Sequence, residues 1–88
     1  MSEKHEPSEA IGTVTHWFGH ISVAGVRLNE PLAMGEKIHI KGHSTDLVQT
    51  VSSMQIEHNK IDLAKPGDDV ALAVDGPVHE HDLIFREA

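Results

Sequence analysis

The chain has 88 residues, no cysteine, and a formal charge of −7. That length holds one small core. Disulfides and thiolate metal or redox sites are excluded. Charge is uneven: residues 1–9 carry three acids and one base, residues 10–61 four of each, and residues 62–88 seven acids and two bases. An autonomous DNA or RNA binder needs a basic field that this balance does not supply, which leaves a local contact within a larger ribonucleoprotein. No apolar run approaches the roughly 20 residues of a membrane span, and the polar start lacks the basic-then-apolar order of a signal peptide, so a cytoplasmic location is expected.

Met1 to Glu9 offers nothing to bury and is expected to be a disordered acidic tail, with residues 10–88 forming one domain. Ala10 to Phe18 reads as a first strand, with Val14, His16 and Phe18 on the inward face and Thr13, Thr15 and Trp17 on the other. Ile21 to Leu28 is the second, apolar on both faces around Gly25, where a bulge or corner fits. Glu36 to Lys41 alternates strictly and turns Ile38 and Ile40 inward.

Leu47 to Ile56 is the longest alternating run. Leu47, Gln49 and Val51 share a face, whereas Met54 and Ile56 resume out of phase, so a bulge at Ser52-Ser53 is expected to bend one long fourth strand and drop Met54 into the interior. Lys65-Pro66-Gly67-Asp68 has the proline and glycine of a type II turn. Asp69 to Asp75 is the fifth strand, with Val70, Leu72 and Val74 inward and the small Ala71 and Ala73 outward; Asp82 to Arg86 is the sixth. No helical periodicity survives the glycines and prolines. The expected fold is all-β, a small closed six-stranded Greek-key-type β-barrel.

Three groups of residues bear on function. Lys37, His39 and Lys41 share the outer face of their strand, and Arg27 and Lys60 extend them into a basic stripe that either contacts RNA or a partner or solvates an exposed edge. His79 and His81, with Asp82 or Glu80, have the spacing of a weak metal site if the backbone there is extended; a solvated acidic turn is the other reading. His16 is either catalytic or a hydrogen-bonded core histidine. No Ser-His-Asp spacing and no aromatic box for a cofactor occur, so neither catalysis nor a cofactor is expected.

Gly12-Thr13-Val14, Val23-Ala24-Gly25-Val26, Leu32 with Gly35-Glu36-Lys37-Ile38, Val51-Ser52-Ser53-Met54-Gln55-Ile56 and Ala64-Lys65-Pro66-Gly67-Asp68-Asp69-Val70 together resemble the second-domain β-barrel of the translational GTPases, the family of elongation factor Tu and initiation factor two. The resemblance runs from Ile11 to about Arg86. It departs at His81-Asp82, where the family has glycine-aspartate, and no phosphate-binding Gly-x-x-x-x-Gly-Lys-Ser/Thr loop is present, so no GTP chemistry is expected. The resemblance implies a stand-alone binding module for ribosomal RNA, tRNA or a translation-related protein. The chain is also similar, less distinctly, to the C-terminal barrel of collagenase-like peptidases, which implies an accessory or protein-interaction subunit of a separately encoded enzyme. A histidine-based metal-binding protein is the third alternative.

Overall fold

A computed structural model describes residues 10–87; the acidic tail expected at residues 1–9 lies outside them. The chain there forms ten strands and no helix: β1 (Gly12–Phe18), β2 (Val23–Leu28), β3 (Leu32–Ala33), β4 (Lys37–Lys41), β5 (Asp46–Thr50), β6 (Met54–Ile56), β7 (Asn59–Lys60), β8 (Leu63–Ala64), β9 (Asp69–Ala73) and β10 (Leu83–Arg86). Eight make one antiparallel sheet in the order β5-β4-β10-β1-β2-β9-β6-β7, and β3 pairs with β8 separately. Alternation decides which face is buried. Ile38 and Ile40 on β4, Val70 and Leu72 on β9, and Ala24, Val26 and Leu28 on β2 are all at most 2% exposed, and each large one contributes about 1.5–3 kcal/mol of burial.

The expected closed six-stranded barrel is instead an eight-stranded sheet curled into a half-barrel. The long bent strand is likewise two strands. β5 pairs with β4 at one edge of the sheet, while β6 pairs with β9 and β7 near the other. Val51 to Ser53 carries the chain between them. The inferred phase change is present, since Val51 and Met54 are both 1% exposed, but it arises because the chain changes neighbours. Val51 exchanges bonds with the β3–β4 connection (its N–H to Glu36 O, its carbonyl from Gly35 N), and two residues later Ser53 O accepts from Ala73 N of β9.

Between β5 and β9 the seam is closed by a side chain. Gln49 is 4% exposed; its Nε2 donates to Ala73 O at 3.0 Å and its Oε1 accepts from Asp75 N at 2.8 Å. One amide thus meets the carbonyl and N–H on either side of Val74, the groups that a paired neighbouring strand would otherwise satisfy.

The turns follow local chemistry. Gly67 has φ +90 behind Pro66, and Asp68 N donates to Lys65 O at 3.1 Å, which gives the expected type II turn. Sequence reading missed β3, β7 and β8, two residues each, and also the β6–β7 hairpin. Its two turn residues, Glu57 and His58, take φ 50 and 70 where asparagine and glycine are usual.

Candidate functional site, an apolar groove

In β1 the pairing with β2 shifts register between Val14 and His16. Val14 is buried, Thr15 and His16 are both exposed, and Trp17 turns back to pack on the core. The β-bulge reverses the expected phase: His16 faces outward with Phe18, not inward, because one extra residue flips everything after it. Gly25 lies opposite, where a Cβ would come within 3.2 Å of Thr15 Oγ1. The rings of His16 and Phe18 lie with centroids 4.2 Å apart.

The bulge delivers Phe18 to the outer surface, and the β1–β2 turn delivers Ile21. Phe18 is 45% and Ile21 66% exposed. They are shared by two adjoining depressions, one of about 410 Å³ along the β1–β2 turn and one of about 310 Å³ reaching Val23, Ala71, Ala73 and His58. No Asp, Glu, Lys or Arg lines either. Ser53 leads into a third depression, about 220 Å³, edged by Met34, Lys60 and Asp62. Ala71 and Ala73 face outward as the alternation of β9 indicated, and their small size opens the floor. Ile21 and His58 were not legible as site residues, because each sits in a turn whose backbone places it.

The basic stripe does not assemble. Lys37, His39 and Lys41 do share the outer face of β4, but His39 is covered: its Nε2 is 2.5 Å from Asp46 Oδ1, its Nδ1 3.7 Å from Glu87 Oε1, and its side chain 12% exposed. The hydrogen bond with this ring holds the Asp46 carboxyl below the usual carboxylate range. Arg27, on β2, is bound in a fork by Asp69 (Nε–Oδ1 2.5 Å, Nη2–Oδ2 3.1 Å), which lowers the Asp69 pKa and raises that of the guanidinium. β10 and β1 separate β2 from β4, and Lys60 stands on β7 at the far edge of the sheet.

The residues at 79–82 are not extended. His81 has φ 78 and the chain turns there, so the rings of His79 and His81 are not set side by side as the metal reading required. Asp82 is 4% exposed and its Oδ2 accepts from His79 N at 2.8 Å. Among the described residues no group of three His, Cys, Asp or Glu side chains is placed to hold a metal. Thr45, His79 and Asp82 come together, yet Thr45 Oγ1 (3.0 Å) and Asp82 Oδ2 (3.9 Å) both address His79 Nδ1. A nucleophile–base–acid relay needs the two partners on opposite ring nitrogens, so this cluster is a turn clasp.

No protein-family model matches the chain. It is 36% identical over 76 residues to an uncharacterized protease of Methanocaldococcus jannaschii; the match takes in 85% of this chain and 19% of the protease, so the chain spans about a fifth of its relative's length. The C-terminal domain of a Geobacillus thermoleovorans chain assigned to the U32 peptidases has the same fold, with TM-score 0.87 and 19% identity over 98% of this chain and 100% of that domain. Its selenomethionine form gives 0.83 and 21%, covering 90% and 99%. These relatives overturn the reading as a translation-factor second domain, and with it the translation, ribosome and RNA-binding expectations. The quoted motifs specify turns and strand starts, which barrels of both kinds need whatever they bind.

Proposed function

We propose that the chain is a non-catalytic accessory domain that serves a peptidase-type catalytic unit. The observation that carries this is the 36% identity to one fifth of a protease, since four fifths of that relative remain to hold the chemistry. The shared Nδ1 of the Thr45–His79–Asp82 cluster supports a binding role over a catalytic one. The exposed Phe18 and Ile21, at a groove without Asp, Glu, Lys or Arg in its lining, supply a surface for it.

The test mixes the purified 88-residue chain with the M. jannaschii protease shortened by its matching fifth and follows both by size-exclusion chromatography. Co-elution, with no cleavage of fluorogenic casein by the 88-residue chain alone, is the expected result. Casein cleavage by the chain alone would overturn the non-catalytic reading, and separate elution at micromolar concentration the accessory one.

A further inference from the structure

We infer that the groove captures extended segments of substrate polypeptide that are apolar in the middle and basic at the ends. This deepens the reading of the chain as the binding part of a peptidase-type enzyme and rests on it. The three depressions lie in series, joined by Phe18 and Ile21 and then by Ser53. Volumes of about 410, 310 and 220 Å³ suit side chains rather than a folded domain. In an extended segment, alternate side chains recur about every 6.6 Å on one side, so such a segment presents its side chains one by one to a row of shallow depressions.

Charge selects among such segments. The chain carries 14 acids against 7 Lys and Arg, yet the two larger depressions are lined by neither. Acids stand beside them: Glu57 next to His58 in the β6–β7 turn, Glu80 with Oε2 3.6 Å from His16 Nδ1, and Asp62, together with Lys60, in the third depression. A floor without Asp, Glu, Lys or Arg, edged by Glu57, Glu80 and Asp62, complements an apolar segment with lysine or arginine on its flanks, and the charge of −7 repels a second copy of the chain. Size points the same way. An obligate partner buries some 2,000 Å² or more, whereas the apolar contact offered here centres on Phe18 and Ile21, the scale of transient capture. Both turns that wall the groove also hold non-glycine residues at positive φ, Ser22 at 56 and Glu57 and His58 at 50 and 70, a cost that binding sites commonly carry.

The experiment titrates the 88-residue chain into a fluorescein-labelled peptide, Lys-Lys-Leu-Val-Phe-Leu-Lys-Lys, and reads anisotropy. Saturable binding that weakens with added salt is expected, with affinity lower by about tenfold or more for the same peptide flanked by glutamate and for the Ile21→Asp chain. Because Ile21 is 66% exposed, Ile21→Asp keeps the fold, which its urea transition checks, and Phe18→Ser serves as a second variant. Equal binding by a folded Ile21→Asp chain, equal binding of the glutamate-flanked peptide, or no saturation would overturn the proposal. Ile21-dependent binding to phosphatidylcholine vesicles without peptide binding would overturn it in favour of a lipid surface, and an Ile21-dependent dimer in sedimentation equilibrium in favour of self-association. If the peptide arms fail while the wild-type and Ile21→Asp chains both co-elute with the shortened protease, the groove assignment falls and the accessory reading stands; if co-elution also fails, both fall.

Discussion

Replacing Gln49 by leucine tests whether one side chain closes the half-barrel. The substitution keeps nearly the same volume and leaves the two nearest partners of Gln49, Ala73 O at 3.0 Å and Asp75 N at 2.8 Å, facing a leucine. Each backbone group buried without a partner costs about 1–3 kcal/mol, so the pair costs about 2–6. The added apolar burial offsets about 1 kcal/mol, and a net loss of about 1–5 kcal/mol remains. A chain of 88 residues has a total stability of only about 4–13 kcal/mol at the usual 0.05–0.15 per residue, so Gln49→Leu should remove a large share of it. Urea unfolding followed by far-UV circular dichroism and by the fluorescence of Trp17, the one tryptophan, would show a lower midpoint with an unchanged slope. Gln49→Glu sharpens the test. A carboxylate can accept from Asp75 N but cannot donate to Ala73 O, whereas a protonated carboxyl does both. Burial with that bond raises the folded-state pKa of the introduced carboxyl, so its contribution is present below the unfolded value of about 4.3 and lost as pH rises through the folded one. Relative to wild type, Gln49→Glu should therefore be less damaging at pH 4 than at pH 7. A Gln49→Leu midpoint equal to wild type would refute the seam.

Met54 is 1% exposed in the core, and Met54→Ala should cost about 2–5 kcal/mol, read as a lowered urea midpoint. A Cβ on Gly42 would lie 1.9 Å from Asp82 Oδ1, whereas one on Gly76 would meet nothing nearer than 3.9 Å; Gly42→Ala should lose about 2 kcal/mol or more and Gly76→Ala should stay near neutral in the same assay. Acid should destabilise the fold. Arg86 holds the Glu36 pKa below its ordinary value, His39 does so for Asp46 and Arg27 for Asp69, so the unfolded chain binds more protons and stability present above about pH 4 declines as pH falls through the lowered folded values. Urea midpoints at pH 7, 5 and 3 should show that decline, and Asp69→Asn with Glu36→Gln should flatten it.

The strand faces were legible wherever a run kept one phase. Ile38 and Ile40, or Val70 and Leu72, are inside because period-two alternation and burial coincide. Legibility failed where the phase was carried by pairing partners rather than by the residues themselves. The bulge at Val14/His16 leaves no local mark in a segment of strand formers, and it alone decides that His16 and Phe18 belong to the surface groove. The break at Val51 to Ser53 was visible as a phase change, but whether a phase change bends one strand or ends it depends on which neighbours the sheet provides.

The same limit governs charge. Lys37, His39 and Lys41 read as one basic face because they share a strand, yet what His39 presents to solvent is set by Asp46 on β5 and by Glu87, 48 residues further along the chain. Arg27 is answered by Asp69 across the β2–β9 pair, a partner that register alone selects. Turn residues and strand faces thus specify an all-β half-barrel of this type, while its electrostatic surface depends on contacts that no short motif contains. A resemblance built from Gly35-Glu36 and Gly67-Asp68 could reach the all-β class and still point to the wrong family, for glycine-acid steps mark where the chain must turn and carry nothing about the surface between the turns.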